Sequence, residues 1–136
     1  MAPTMSSDTA LKLGLMANIS DSLSSIMDIG GAKGTALVDY QSGMTLRTDG
    51  GRGIDMELAG TANTEILRTK KSVLDKLNTD DSVEETLVSL KNDYHLLRVF
   101  HENENVFTYV TLDRDNANLG LARIEIQQVD EYLVLE

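Results

Sequence analysis

The sequence has no cysteine, a single proline and only two histidines among its 136 residues. Without cysteine there are no disulfide bonds, thiolate metal sites or cysteine nucleophiles. The two histidines, His95 and His101, do not make a metal cage by themselves. Long hydrophobic runs are missing too, since no segment has the roughly 18 apolar residues of a membrane-spanning helix. We therefore expect no metal, no cofactor and no membrane insertion.

Basic residues are scarce as well, with 12 Lys and Arg against 22 Asp and Glu, a net charge of −10. Binding to nucleic acid needs a Lys/Arg footprint on the phosphates, so this composition argues against a nucleic-acid partner. It also disfavours anionic membrane surfaces. A protein partner with a basic patch stays possible, because the charge would steer it towards this chain. The first residues lack the pattern of a secretory signal, so we expect a cytoplasmic protein.

What is present is an ordinary globular composition, with 41% apolar and 25% charged residues in a length suited to one domain. Residues 1–8 are small and polar, and we expect them to form a disordered tail before a single domain over residues 9–136. Apolar spacing predicts helices over residues 11–28, 55–77 and 119–133, the second capped by Asp55 and the third by Asn116 or Asn118. Strands are predicted over residues 35–40, 44–48, 83–90, 94–100 and 106–113, with a hairpin turn at Gly43.

The predicted order is thus α-β-β-α-β-β-β-α. The two terminal helices are expected to cover one face of a five-stranded, mainly antiparallel sheet, and the long middle helix the other face. The fold class is α+β, a three-layer α/β/α sandwich.

Two apolar stripes run along the middle helix. The first, which we expect to face the sheet, consists of Ala59, Ala62, Ile66, Val73 and Leu77. The second, about 80–100° further round, consists of Met56, Leu67 and Leu74, interleaved with Asn63 and Lys70. One stripe is enough to dock a helix on a sheet. The second therefore predicts a contact with another protein; the alternative is burial under the chain's own loops.

No motif in the sequence requires catalysis. Residues 30–35 (GGAKGT) look like a phosphate-binding loop, but they lie between a helix and a strand, and Lys33 precedes Gly34. The acidic neighbours Glu84 and Glu85 would point to opposite faces of a strand. We therefore expect no catalytic residue and a protein that is not an enzyme.

Several motifs together resemble the Roadblock (dynein light chain roadblock-type) domain family, and its bacterial and archaeal GTPase-partner branch in particular. They are GA-x-G-x-ALVD at residues 31–39, D-x-x-LA at residues 55–59 and, most specifically, LDRDNANLGLAR at residues 112–123. The resemblance spans about residues 9–128. It implies the profilin-like order of elements given above.

The resemblance also implies function. Roadblock domains form homodimers or heterodimers through their long middle helices and the edge strands that follow, and many regulate small Ras-like GTPases. Carried over to this sequence, the interface candidates are Met56, Asn63, Leu67, Lys70, Leu74, Val83, Glu85 and Leu87. Two alternatives stay open: a motor-complex light chain, or a small-molecule-sensing domain of profilin-like architecture, which would need a cavity with convergent polar groups.

Overall fold

The computed structural model of the chain describes residues 19–132. The described part of the first helix, α1, covers residues 19–27. The elements that follow are β1 Ala32–Asp39, β2 Thr45–Gly50, α2 Met56–Lys76, β3 Glu85–Ser89, β4 Asp93–Val99, β5 Val106–Asp113 and α3 Leu119–Tyr132. This order confirms the one predicted from the sequence. The predicted tail over residues 1–8, the start of the first helix and residues 133–136 lie outside the described residues.

All five strands join one antiparallel sheet in the order β2-β1-β5-β4-β3. The chain therefore leaves the sheet at one edge, β2, crosses over through α2 and returns at the opposite edge, β3. A core cluster on one face packs α1 and α3 against the sheet, with Ile26, Leu37, Leu96 and Ile126 among its members. A second cluster on the other face packs α2 against the sheet, with Val38, Leu67, Phe107 and Tyr109 among its members. The three-layer sandwich is thus confirmed.

Local signals place the ends of the elements as the sequence indicated. The carboxylate of Asp55 caps α2 by accepting a hydrogen bond from the amide of Leu58 at 3.0 Å. Of the two candidates for α3, Asn118 is the cap, and its side-chain oxygen accepts from the amide of Leu121 at 3.0 Å. Gly43 has a φ of 75° in the β1–β2 turn, the conformation for which glycine was expected there.

An irregularity in β2 divides its side chains between the two faces. Leu37 pairs with Arg47, but the next residue, Val38, pairs with Thr45, so Leu46 is skipped. Arg47 then reaches Ser20 on α1, and Thr45 reaches the Glu57 carbonyl on α2 at 2.8 Å. The skipped residue is a β-bulge, and bulges at sheet edges hinder pairing with further strands.

Candidate partner-binding surface

The structure reverses the predicted orientation of α2. The buried residues of the helix are Met56, Gly60, Thr64 and Leu67. Leu67 is 4% exposed, so the stripe reserved for a partner lies against the protomer's own sheet. Most of the stripe expected to face the sheet points outward: Ile66 is 37%, Val73 38% and Leu77 68% exposed. Of that stripe, Ala59 alone packs against the α2 cluster, where it is half-buried. The prediction of which stripe faces the sheet was therefore wrong.

The physical reason is the close approach of the helix to the strands. A Cβ added to Gly60 would lie 2.9 Å from Cγ2 of Val38 and 3.1 Å from Cβ of Ala36. Only small side chains fit where the helix axis passes closest to β1, so Gly60 and Thr64 occupy that line. Met56 and Leu67 flank it and fill the space on either side. The larger apolar residues at 66, 73 and 77 are left outside.

The predicted interface residues consequently fall into separate groups. Met56 and Leu67 are buried in the core, and Asn63 is half-buried, with its side-chain amide donating to the Ala59 carbonyl at 2.7 Å. Leu74 and Val83 are half-buried. The remaining three lie along the edge of the molecule that carries β3, namely Lys70, Glu85 and Leu87.

A groove runs between α2 and β3. It has a volume of about 430 Å³, and its walls include Ile66, Lys70 and Val73 of the helix and Thr86 of the strand. The helix packs mainly across β1 and β2, which leaves the same face of β3 and β4 without a helical cover from this protomer. We call the outward stripe together with this groove the α2–β3 face.

His95 lies on the uncovered part of the sheet. Its ring meets that of Tyr109 edge to face, with the centroids 5.3 Å apart. Burial lowers the pKa of His95; the Asp93 carboxylate opposes this effect and the Lys33 ammonium adds to it. Lys33 and Asp93 themselves form an ion pair at 3.2 Å. The lysine of the loop that looks like a phosphate site is therefore already held by a carboxylate.

The side chains of β3 alternate between the two faces of the sheet. Glu85 points towards α3, where its carboxylate accepts from Nη2 of Arg123 at 2.5 Å and from Nε at 3.0 Å. Leu87, 40% exposed, pairs with Leu96 of the α1/α3 cluster. Thr86 pairs with Leu97 of the α2 cluster, so it faces the groove. Because β3 is an edge strand, its outer main-chain groups are open to a further strand.

A second concavity, the Tyr40 cleft, lies at the end of the sheet where α2 finishes. Its volume is about 370 Å³, and its lining includes Leu67, Val83 and Val99, which we call the floor, and Tyr40, which we call one wall. Arg68 fixes that wall by donating to the carbonyl oxygens of Tyr40 at 3.3 Å and Gln41 at 3.1 Å. Sequence reasoning missed this cleft, because it is built from four separated segments.

No three His, Asp or Glu side chains within residues 19–132 are grouped so as to hold a metal ion. No helix of that same stretch is both long enough and apolar enough to cross a membrane.

The order of elements, the sheet topology and the position of α2 define the class of protein. No protein-family model matches the sequence, and no curated protein matches it. Solved structures do: the Roadblock/LC7 domain from Streptomyces avermitilis superposes with a TM-score of 0.69 at 10% identity, over 81% of this chain and 89% of that one. The chain has the Roadblock fold.

MglB is a particular protein that shares this fold with the chain over most of its length. Myxococcus xanthus MglB gives a TM-score of 0.75 at 14% identity, covering 96% of this chain and 90% of that one. The gliding protein MglB from Thermus thermophilus gives 0.74 at 14% identity, covering 88% of this chain and 87% of that one. At such identities the likeness establishes the fold.

Proposed function

We propose that this protein is a non-enzymatic, cytoplasmic adaptor that forms a homodimer and regulates a small Ras-like GTPase. The observation that carries the proposal is the α2–β3 face. An apolar helix stripe, an uncovered area of sheet and an open strand edge lie side by side on one surface. Apolar surface exposed to water is unfavourable, and a contiguous exposed apolar patch is typical of an interaction site.

A second copy of the chain fits this surface by symmetry. A two-fold axis between two β3 strands pairs them antiparallel and continues the sheet from one protomer into the other. The same axis brings the two α2 helices together along Ile66 and Val73. The partner's helix then covers the area of sheet that α2 leaves open. Main-chain hydrogen bonds would supply part of the affinity, and the apolar stripe the rest.

The dimer is tested by replacing Ile66 and Val73 together with Asp. Both side chains are more than a third exposed in the protomer, so the variant should fold, while two charges in a desolvated seam should prevent association. We expect light scattering coupled to size exclusion to report a monomer for the variant and a dimer for the wild type. The control replaces Leu58 and Leu121 with Asp. These two leucines are 63% and 51% exposed and lie away from the groove, so the control should stay dimeric. A dimeric Ile66/Val73 variant would refute the assignment.

The proposal of a GTPase partner is supported by the family resemblance of the sequence. It is also supported by the fold shared with MglB, which is described as a gliding protein. No arginine is placed by a motif as a catalytic finger, so the proposed action is to bind the GTPase and orient the residues it already has. The test is a pull-down from the native lysate with the wild-type protein as bait, in the presence of GDP or of a non-hydrolysable GTP analogue. We expect a small GTPase enriched in one nucleotide state. Enrichment in neither state would contradict this part of the proposal.

A further inference from the structure

The Tyr40 cleft is not part of the α2–β3 face, although Val83 contributes to both. Three side chains form its apolar floor, and of these Leu67 is buried, while Val83 and Val99 are half-buried. The volume of about 370 Å³ lies within the range of about 300–1,000 Å³ found for ligand sites. A floor of this kind gains free energy when an apolar group displaces water from it.

Two exposed acidic residues, Asp81 and Glu104, also line the cleft, and we call them its rim. None of the four ion pairs formed within residues 19–132 involves either of them. Asp81 accepts one hydrogen bond, from the amide of Ser82 at 2.9 Å, which leaves most of its acceptor capacity free. The rim therefore offers negative charge next to an apolar surface.

Two other polar side chains of the cleft, those of Asn105 and Lys71, already have partners. The side-chain oxygen of Asn105 accepts from the amide of Gln41 at 3.0 Å, and its nitrogen donates to Asp39. The ammonium of Lys71 lies 5.7 Å from the centre of the Tyr40 ring, in a cation–π contact. With one cation against two carboxylates, the lining has a net negative charge.

We propose that the Tyr40 cleft binds an arginine side chain presented by a basic segment of a protein partner. An arginine has a three-carbon stem that packs on an apolar floor and a planar guanidinium whose five donors suit two carboxylates. The guanidinium is also less strongly hydrated than an ammonium, so it is easier to bring against an apolar surface. The net charge of −10 steers such a segment towards the protein. Neither the dimer nor the GTPase is needed for this binding.

The probe is a short blocked peptide that carries arginine between two leucines, titrated into the ¹⁵N-labelled full chain. We expect saturable shifts of the amide signals of Tyr40, Ser82 and Val99. A second peptide with citrulline, which keeps the shape of arginine without its charge, should bind about tenfold more weakly because it loses the charge-assisted hydrogen bonds. Equal binding of the two peptides would overturn the proposal.

Variants separate the cleft from general attraction to an acidic protein. The double change Asp81→Asn and Glu104→Gln should weaken binding of the arginine peptide about tenfold. The matched change Asp28→Asn and Asp115→Asn removes the same charge at the opposite end of the sheet from the cleft and should leave binding within about twofold, since exposed charges more than a Debye length away are screened. Lys71→Gln removes the one cation of the lining and should strengthen binding several-fold. An equal loss in both double variants, or no gain from Lys71→Gln, would show binding to the acidic surface at large.

Discussion

Gly60 shows how a single residue sets the distance between a helix and a sheet. In an exposed helix, replacing glycine by alanine stabilises by up to about 1 kcal/mol. Here the added Cβ would lie 2.7 Å from Oγ1 of Thr45 and 2.9 Å from Cγ2 of Val38, so α2 must shift or the neighbours must move. Overpacking of this kind costs about 1–3 kcal/mol. We therefore expect Gly60→Ala to lower the free energy of unfolding, measured by urea denaturation at fixed protein concentration.

Gly120 provides the matched control. It lies in the first turn of α3, and an added Cβ would meet nothing closer than Oδ1 of Asn118 at 3.7 Å. Gly120→Ala should then be neutral or stabilising by a few tenths of a kcal/mol, up to about 1 kcal/mol. If Gly60→Ala were the more stable of the two variants, α2 would not approach β1 as closely as described.

At the scale of whole elements, most of the fold could be predicted from the sequence because its signals are local. A cap such as Asp55 depends on hydrogen bonds within one helical turn, and the turn glycine Gly43 on its own φ angle. Alternation and length were enough to place all five strands within a few residues of their observed bounds. The order of the elements then left few ways to cover both faces of the sheet.

The orientation of α2 could not be predicted in the same way. Its two apolar stripes are similar in strength, and hydrophobicity ranks Ile66 and Val73 above Thr64. What decides which side is buried is steric fit against β1, a property of the packed pair and not of the helix alone. A mid-helix glycine, Gly60, was the available signal, since close backbone approach is one reason for such a residue. A Leu67→Asp variant would therefore unfold the protomer, because it buries a charge in the core, and it could not test dimerisation.

The candidate interface could be predicted only in part for the same reason. The sequence and the family resemblance indicated the right elements, the long helix and the strand after it. Of the predicted residues, Lys70 and Leu87 are exposed on these elements, whereas Met56 and Leu67 are in the core. The Tyr40 cleft could not be predicted from the sequence, because its lining residues come together only in the folded chain. They include Tyr40, Leu67, Asp81 and Glu104.

For the molecule as a whole, the uneven cover of the two sheet faces is the main consequence of the fold. Two helices, α1 and α3, pack on one face, whereas α2 alone crosses the other and leaves part of β3 and β4 open. The partner's α2 helix would complete the third layer. In that case part of the free energy of unfolding resides between the protomers, and folding is coupled to association.

This coupling predicts that the melting temperature depends on protein concentration. Because the dimer unfolds to two chains, a hundredfold dilution lowers its stability by about 2.7 kcal/mol, or about 1.4 kcal/mol per protomer. For a chain of this size that corresponds to a fall of roughly 3–8 °C in Tm. The Ile66→Asp, Val73→Asp variant should melt at a lower temperature that is the same at all concentrations. The measurement is calorimetry on both proteins over this hundredfold range of concentration. A wild-type Tm that does not change on dilution would mean that the open face of the sheet is stable without a second copy of the chain.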